Sequence, residues 1–150
     1  MAINEPKEWM MERKASAVWR GDLKKGTGTY STASGALKDT KYDFRSRFEE
    51  GILSNPEELI GAAHAGCFAM ALSAVLGEAG YVPEEIAVTA TITMKPVDGA
   101  PTVTHSHLDV KAKVPEASEQ DFIKAANEAK QNCPISRLLK AEITMDATLV

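Results

Sequence analysis

The sequence predicts an α+β fold, and three observations carry that expectation. Short alternating segments with Gly, Asp and Lys punctuation precede residue 50. A long uncharged helical stretch follows, and after it come two long alternating segments joined by an Asp-Gly pair.

Three segments before residue 50 read as strands: Ala15 to Arg20, Gly28 to Ser34, and Tyr42 to Glu49. In the third, Tyr42, Phe44, Ser46 and Phe48 fall on one face and Asp43, Arg45, Arg47 and Glu49 on the other, as a period of two demands. Ser54-Asn55-Pro56-Glu57-Glu58 then starts a helix, with a capping side chain, proline in the first turn and acids at the positive end of the dipole. It is expected to run to Ala79, with Gly80 closing it. Leu59 to Leu76 carries no charge, which is long enough to span a membrane. The stretch is interior, holds His64 and Cys67, is rich in Ala and Gly, and has acidic flanks, so it reads instead as a helix buried on all sides.

Ile86 to Pro96 and Thr102 to Val114 read as a hairpin around Asp98-Gly99. Ser118 caps an amphipathic helix to Gln131, whose stripe is Phe122, Ile123, Ala126 and Ala129. Cys133-Pro134 breaks it, and a short helix from Ile135 to Lys140 and a strand from Ile143 to Leu149 complete the chain. No repeat, linker or low-complexity segment interrupts it.

The chain has 150 residues, 44% hydrophobic and 25% charged, as expected for one globular domain. A net charge of -4 leaves no cationic footprint, so neither nucleic acid nor an anionic membrane surface is an expected partner. The N-terminal stretch scatters Glu and Lys and offers no apolar core of the roughly 7 residues that a secretory signal needs, so the protein reads as cytoplasmic. Two cysteines in that compartment are more often free or redox-active than structural.

Cys67 lies in a helix interior, where the dipole gives little help, so an unaided thiol there keeps a pKa near or above ~8.5 and needs a cation. Its plain alternative is a small buried apolar group. Cys133, before a proline at a helix end, is expected to be accessible enough to attack an oxidised partner. His64 lies one turn before Cys67 and is the base a Cys-His acyl-transfer enzyme would use, although a polar contact at the helix surface is the reading preferred for it. His105 and His107 share one strand face; without an acid or Cys at ligand spacing they read as an exposed polar stripe rather than a metal site.

The run from Asn55 to Leu72, NPEELIGAAHAGCFAMAL, resembles the central helix of the OsmC family, osmotically inducible protein C. Trp19-x-Gly21-Asp22, Gly26-x-Gly28, Arg47-Phe48-Glu49, Gly77-Glu78-Ala79-Gly80, Cys133-Pro134-Ile135-Ser136 and Leu139-Lys140-Ala141-Glu142-Ile143-Thr144 are similar to that family as well. The resemblance covers residues 16 to 150 as a single domain, with residues 1 to 15, including Trp9, Met10 and Met11, as an N-terminal extension expected to pack on a partner subunit.

The resemblance implies a protomer with antiparallel sheets around a long central helix, in an intertwined homodimer, and thiol-dependent reduction of organic hydroperoxides in oxidative or osmotic stress defence. No cofactor and no metal are expected, and the thiol reductant is expected to be a dihydrolipoyl protein or a small thiol protein, neither of which leaves a motif in the chain. The resemblance makes Cys67 the peroxidatic thiol and Cys133 the resolving thiol, joined in a disulfide during turnover, with Arg47 and Glu57 as the polar pair that activates Cys67. Glu57 is expected to hold the guanidinium fork in a bidentate pair. In the organic hydroperoxide resistance branch of the superfamily the arginine lies on an earlier strand; this chain has Gly21-Asp22-Leu23-Lys24 there, so the role falls to Arg47, with Arg45 as the fallback. Without the resemblance, Arg47 reads as a solvated strand charge and Glu57 as a first-turn acid.

One constraint comes from helix geometry. Glu57 and Cys67 are ten residues apart, about 15 Å along a regular helix, so they cannot serve one site within one chain. Two copies packed antiparallel about residue 62, where Gly61, Ala62, Ala63, Ala65 and Gly66 permit close approach, bring Glu57 of one to Cys67 of the other. The expectation is a composite site. A non-enzymatic small-ligand carrier and the Cys-His acyl-transfer enzyme are the two competing readings.

Overall fold

A computed structural model describes residues 10–150, so the expectation for residues 1–9, Trp9 included, lies outside the described residues. The order is β1 (Ala15–Arg20), β2 (Thr27–Thr32), β3 (Thr40–Tyr42), α1 (Phe44–Phe48), α2 (Pro56–Glu78), β4 (Glu85–Val97), β5 (Ala100–Lys113), α3 (Glu119–Asn132), α4 (Pro134–Leu138) and β6 (Glu142–Leu149). The chain divides into two compact units, one ending at Leu59 and the other running from Ile60 to Val150.

In the first unit, β1, β2 and β3 form an antiparallel sheet in that order. Tyr30 stacks on Tyr42 with centroids 4.5 Å apart, and Trp19 tilts against Tyr42 at 5.6 Å. Gly28 makes this cluster possible: a Cβ there would lie 2.6 Å from the Tyr42 ring and 2.7 Å from Trp19, closer than carbon atoms can approach.

The strand expected from Tyr42 to Glu49 ends at Tyr42, and the rest of it is helix α1. Asp43 in extended backbone caps this helix, its Oδ1 accepting the Ser46 N–H at 2.8 Å. Phe44 and Phe48 then meet one turn apart, their centroids separated by 5.1 Å. Alternation at 42, 44, 46 and 48 also contains the helical i, i+4 pair, and the cap decides between them.

Asn55 caps α2, its Oδ1 accepting from the Glu58 N–H at 2.8 Å, with Pro56 as the first helical residue. At the other end Gly80, at φ +89, lets the Tyr81 N–H reach back to the Leu76 carbonyl at 2.9 Å, a Schellman closure. Burial on all sides does not hold for the single chain. Gly61, His64, Phe68, Ala71, Leu72, Val75 and Leu76 form one buried stripe at helical spacing, whereas Ala62, Ala63, Gly66, Met70 and Ser73 are exposed. Small residues dominate the open face, so the helix keeps a surface where a second backbone can come close.

The second unit is built on β4, β5 and β6. Asp98 and Gly99 both take positive φ, 51° and 81°, the conformation that closes a two-residue hairpin between β4 and β5. The last strand, β6, pairs in parallel with β5, so this sheet is mixed rather than wholly antiparallel; α3 and α4 form the crossover that a parallel pair requires. On β5, Ser106, Leu108, Val110 and Ala112 alternate inward and are buried. They pack with the α2 stripe and with Phe122, Ala125, Ala126 and Ala129 of α3, while Cys133 closes the core near the start of α4. Phe68, Leu72, Leu76, Leu108 and Phe122 are fully buried, each contributing about 2 kcal/mol of transfer free energy.

Candidate active site

In the second unit, His64 extends from the buried stripe of α2 and is fully enclosed, which corrects the expected surface position. The stripe itself carried the signal, since His64 sits four residues before Phe68 and three after Gly61. Its Nδ1 lies 2.7 Å from Ser106 Oγ on β5 and its Nε2 2.8 Å from Ser136 Oγ on α4. Ser136 Oγ is in turn 3.1 Å from Cys133 Sγ, and the Ser136 N–H donates to the same sulfur at 3.3 Å. Cys133 is thus the N-cap of α4. Ser106 and Ser136 were missed in the sequence; the two hydroxyls stand at inward positions otherwise filled by apolar groups.

Both thiols are free, Cys67 half-buried and Cys133 fully buried, so the expected accessibility of Cys133 does not hold. Burial pushes the Cys67 thiol up to about 11 against the help of the Ile135 backbone, and the hydrogen bond and charge of Cys133 push the same way. Burial also acts to raise Cys133, but hydrogen bonds from His64, Ser136 and Cys67 outweigh it and bring this thiol down to about 6. Within one chain Cys133 is the thiol held low, and Cys67 is the less buried of the two.

In the first unit, Arg47 and Glu57 meet. Arg47 Nε and Nη2 donate to Glu57 Oε1 at 3.1 Å and 2.9 Å, two N–H groups converging on one oxygen in place of the expected fork on both. Glu57 Oε2 is buried without a hydrogen-bond partner among the described residues. Arg47 also lies over the Phe48 ring, 5.3 Å from its centroid. Arg45, two residues away on α1, reaches Glu49 at 3.9 Å instead, because residues two apart on a helix point in different directions. A cavity of about 170 Å³ is lined by Arg47 together with Trp19, Leu23, Tyr42, Phe44 and Phe48. Asp43 lines it too, so the cavity sets one cation and one carboxylate in a largely aromatic wall.

His105 and His107 both bond Thr144 Oγ1, and His107 Nε2 faces Asp146 at 3.2 Å and Asp109 at 3.4 Å. These acids, which the strand pattern concealed, make His107, Asp109 and Asp146 the group of described residues whose donor atoms are close enough to hold a divalent ion. His107 is half-buried and the two acids are exposed.

The family model described as OsmC-like protein matches residues 50–148. Peroxiredoxin OsmC of Escherichia coli strain K12 is 47% identical over 139 residues, covering 93% of this chain and 97% of that protein. The protein of the same name in Shigella flexneri matches to the same extent. Among solved structures, an OsmC-like protein of unknown function from Vibrio cholerae superposes with a TM-score of 0.74 at 18% identity, covering 93% of this chain and all of that one. The organic hydroperoxide resistance protein OhrB of Bacillus subtilis does so with a TM-score of 0.64 at 19% identity, covering 91% and 98%. The fold is shared with these structures, and the family model and the close relatives together show that the chain belongs to the OsmC family.

Proposed function

We propose that this chain is a thiol-dependent peroxidase that reduces organic hydroperoxides to alcohols, with Cys67 as the attacking thiol and Cys133 as the resolving one. The observation that carries the reading is the pairing of a reachable thiol with a buried one close enough for each to shift the other. A relative named for peroxiredoxin activity, 47% identical over nearly the whole chain, supports it.

The Cys67 thiolate attacks the terminal peroxide oxygen, the O–O bond breaks, and the alkoxide leaves and takes up a proton. Cys67 is now a sulfenic acid. Cys133 attacks its sulfur, the S–O bond breaks, and water leaves a Cys67–Cys133 disulfide, which a thiol reductant such as a dihydrolipoyl protein returns to the dithiol. The aromatic wall beside Arg47 suits the alkyl or aryl part of an organic hydroperoxide.

Cys67 on its own chain keeps its proton, and so needs a cation to react. Arg47, oriented by Glu57, is that cation, supplied by the second subunit of a homodimer. Supporting this are the unbroken helix from Pro56 to Glu78, which keeps Glu57 and Cys67 about 15 Å apart, and the exposed small-residue face of α2. Residues 16–150 act as one domain in this reading, and the protein works in the cytoplasm without cofactor or metal, nucleic acid or membrane.

The acyl-transfer reading is weaker, because both ring nitrogens of His64 are engaged by serines and the thiol on that network is fully buried. Adding tert-butyl or cumene hydroperoxide to reduced protein is expected to consume both thiols and yield an intrachain disulfide, seen by thiol titration and mass spectrometry. Unchanged thiols refute the peroxidase; a burst from an activated ester supports acyl transfer, and neither reaction leaves a carrier.

A further inference from the structure

We propose that His64 and Ser136 form a buried proton relay that keeps the resolving thiol Cys133 ionised and then returns the proton to the oxygen leaving Cys67. The inference rests on the peroxidase reading and concerns its second step.

The geometry is continuous. His64 Nδ1 lies 2.7 Å from Ser106 Oγ, and the tautomer that places the ring proton on Nδ1, donated to Ser106, is the one that leaves Nε2 as the relay's base. Nε2 is 2.8 Å from Ser136 Oγ, and that oxygen is 3.1 Å from Cys133 Sγ. A proton moves from sulfur to the serine oxygen while the serine proton moves to Nε2, leaving a thiolate, a neutral hydroxyl and an imidazolium. No net charge is buried, which is why an enclosed site tolerates it. The Ser136 N–H, also on the sulfur, favours the same state, and the depressed titration of Cys133 agrees.

His64 and Cys67 on α2 and Cys133 before α4 are the titratable groups of this cluster; β5 contributes only the Ser106 hydroxyl. Among the described residues no carboxylate, lysine or arginine hydrogen-bonds to any of them. The relay therefore has nowhere to send its proton except back along the same path. When Cys133 attacks the Cys67 sulfenic acid, the S–S bond forms and the S–O bond breaks. The departing hydroxide takes the Nε2 proton through Ser136, and water, a disulfide and neutral His64 remain.

Magnitudes fix the signature. A thiol near pKa 6 is mostly ionised at pH 7, whereas an ordinary one near ~8.5 is only a few per cent thiolate. A lower pKa also weakens the thiolate as a nucleophile, by roughly tenfold over that span at a Brønsted slope of about 0.45. Losing the relay therefore slows the step at low pH and not at high pH.

The test is quenched-flow mass spectrometry of wild type, Ser136→Ala, Ser136→Thr and His64→Gln, mixed reduced with tert-butyl hydroperoxide from pH 6 to 9. It separates reduced, sulfenic and disulfide forms. In wild type the conversion of sulfenic acid to disulfide is expected to stay within about threefold across the range. In Ser136→Ala and His64→Gln it falls about tenfold at pH 6, rises nearly tenfold per pH unit to pH 8, crosses wild type between about pH 7 and 8 and exceeds it at pH 9, while sulfenic acid accumulates at low pH. Ser136→Thr keeps the hydroxyl and the wild-type profile. Unchanged conversion in Ser136→Ala, or a loss equal at every pH, overturns the relay; should His64→Gln fail to fold, Ser136→Ala decides alone. A wild-type protein forming neither sulfenic acid nor disulfide refutes the peroxidase reading itself, a result distinct from either.

Discussion

Cys67 and Cys133 differ first in burial, the one half-buried and the other fully enclosed, and the proposed division of labour between them follows from that difference. Their residue types and the spacing that separates them were readable in the sequence, and so was the pairing of Arg47 with Glu57, through resemblance. Ser106 and Ser136 were not, because a hydroxyl in an alternating or capped segment gives no signal until the buried group that it satisfies is located. His64 was misplaced for a related reason: a helix thought buried on every face has no stripe to place it on. At this scale Arg47→Ala is expected to slow the first step about 100-fold, as loss of a charge-stabilising donor does. The Cys67 thiol then titrates higher, in the direction that burial and the neighbouring Cys133 already push it in a chain without that cation. Its thiolate becomes scarcer at every pH below the raised midpoint. Rates of alkylation against pH, with Cys133 replaced by Ser in both backgrounds, measure the shift; an unmoved midpoint removes Arg47 from the activation of Cys67.

The elements that sequence placed well are those whose ends are fixed by local chemistry. Asn55-Pro56 and Gly80 bound α2, Ser118 caps α3 by accepting from the Asp121 N–H at 3.1 Å, and Asp98-Gly99 closes the β4–β5 hairpin. The failures were of period and of pairing. Phe44 and Phe48 satisfy a strand and a helix equally, and only the Asp43 cap separates the two; the parallel partnership of β6 with β5 depends on a crossover that no local residue encodes. Gly99 tests the hairpin. At φ +81 a β-branched side chain is strained, so Gly99→Val is expected to lower stability by about 1–2 kcal/mol in chemical denaturation with peroxidase turnover per folded molecule unchanged. A stability equal to wild type contradicts the turn assignment.

At the scale of the whole molecule, the sequence gives a fold class more readily than an assembly. Alternation, caps and a long uncharged helix suffice for α+β, whereas the proposed dimer rests on small residues along the open face of α2 and on the long interval between Glu57 and Cys67. The central claim, a peroxidase whose thiol is activated across a two-fold axis, meets its most direct test in subunit mixing. Cys67→Ser and Glu57→Ala proteins, each inactive alone, are unfolded together, refolded and assayed with cumene hydroperoxide. If each site takes Cys67 from one chain and Glu57 from the other, every heterodimer holds one intact site, and random pairing restores about a quarter of wild-type activity. A mixture no more active than its parents contradicts the shared site.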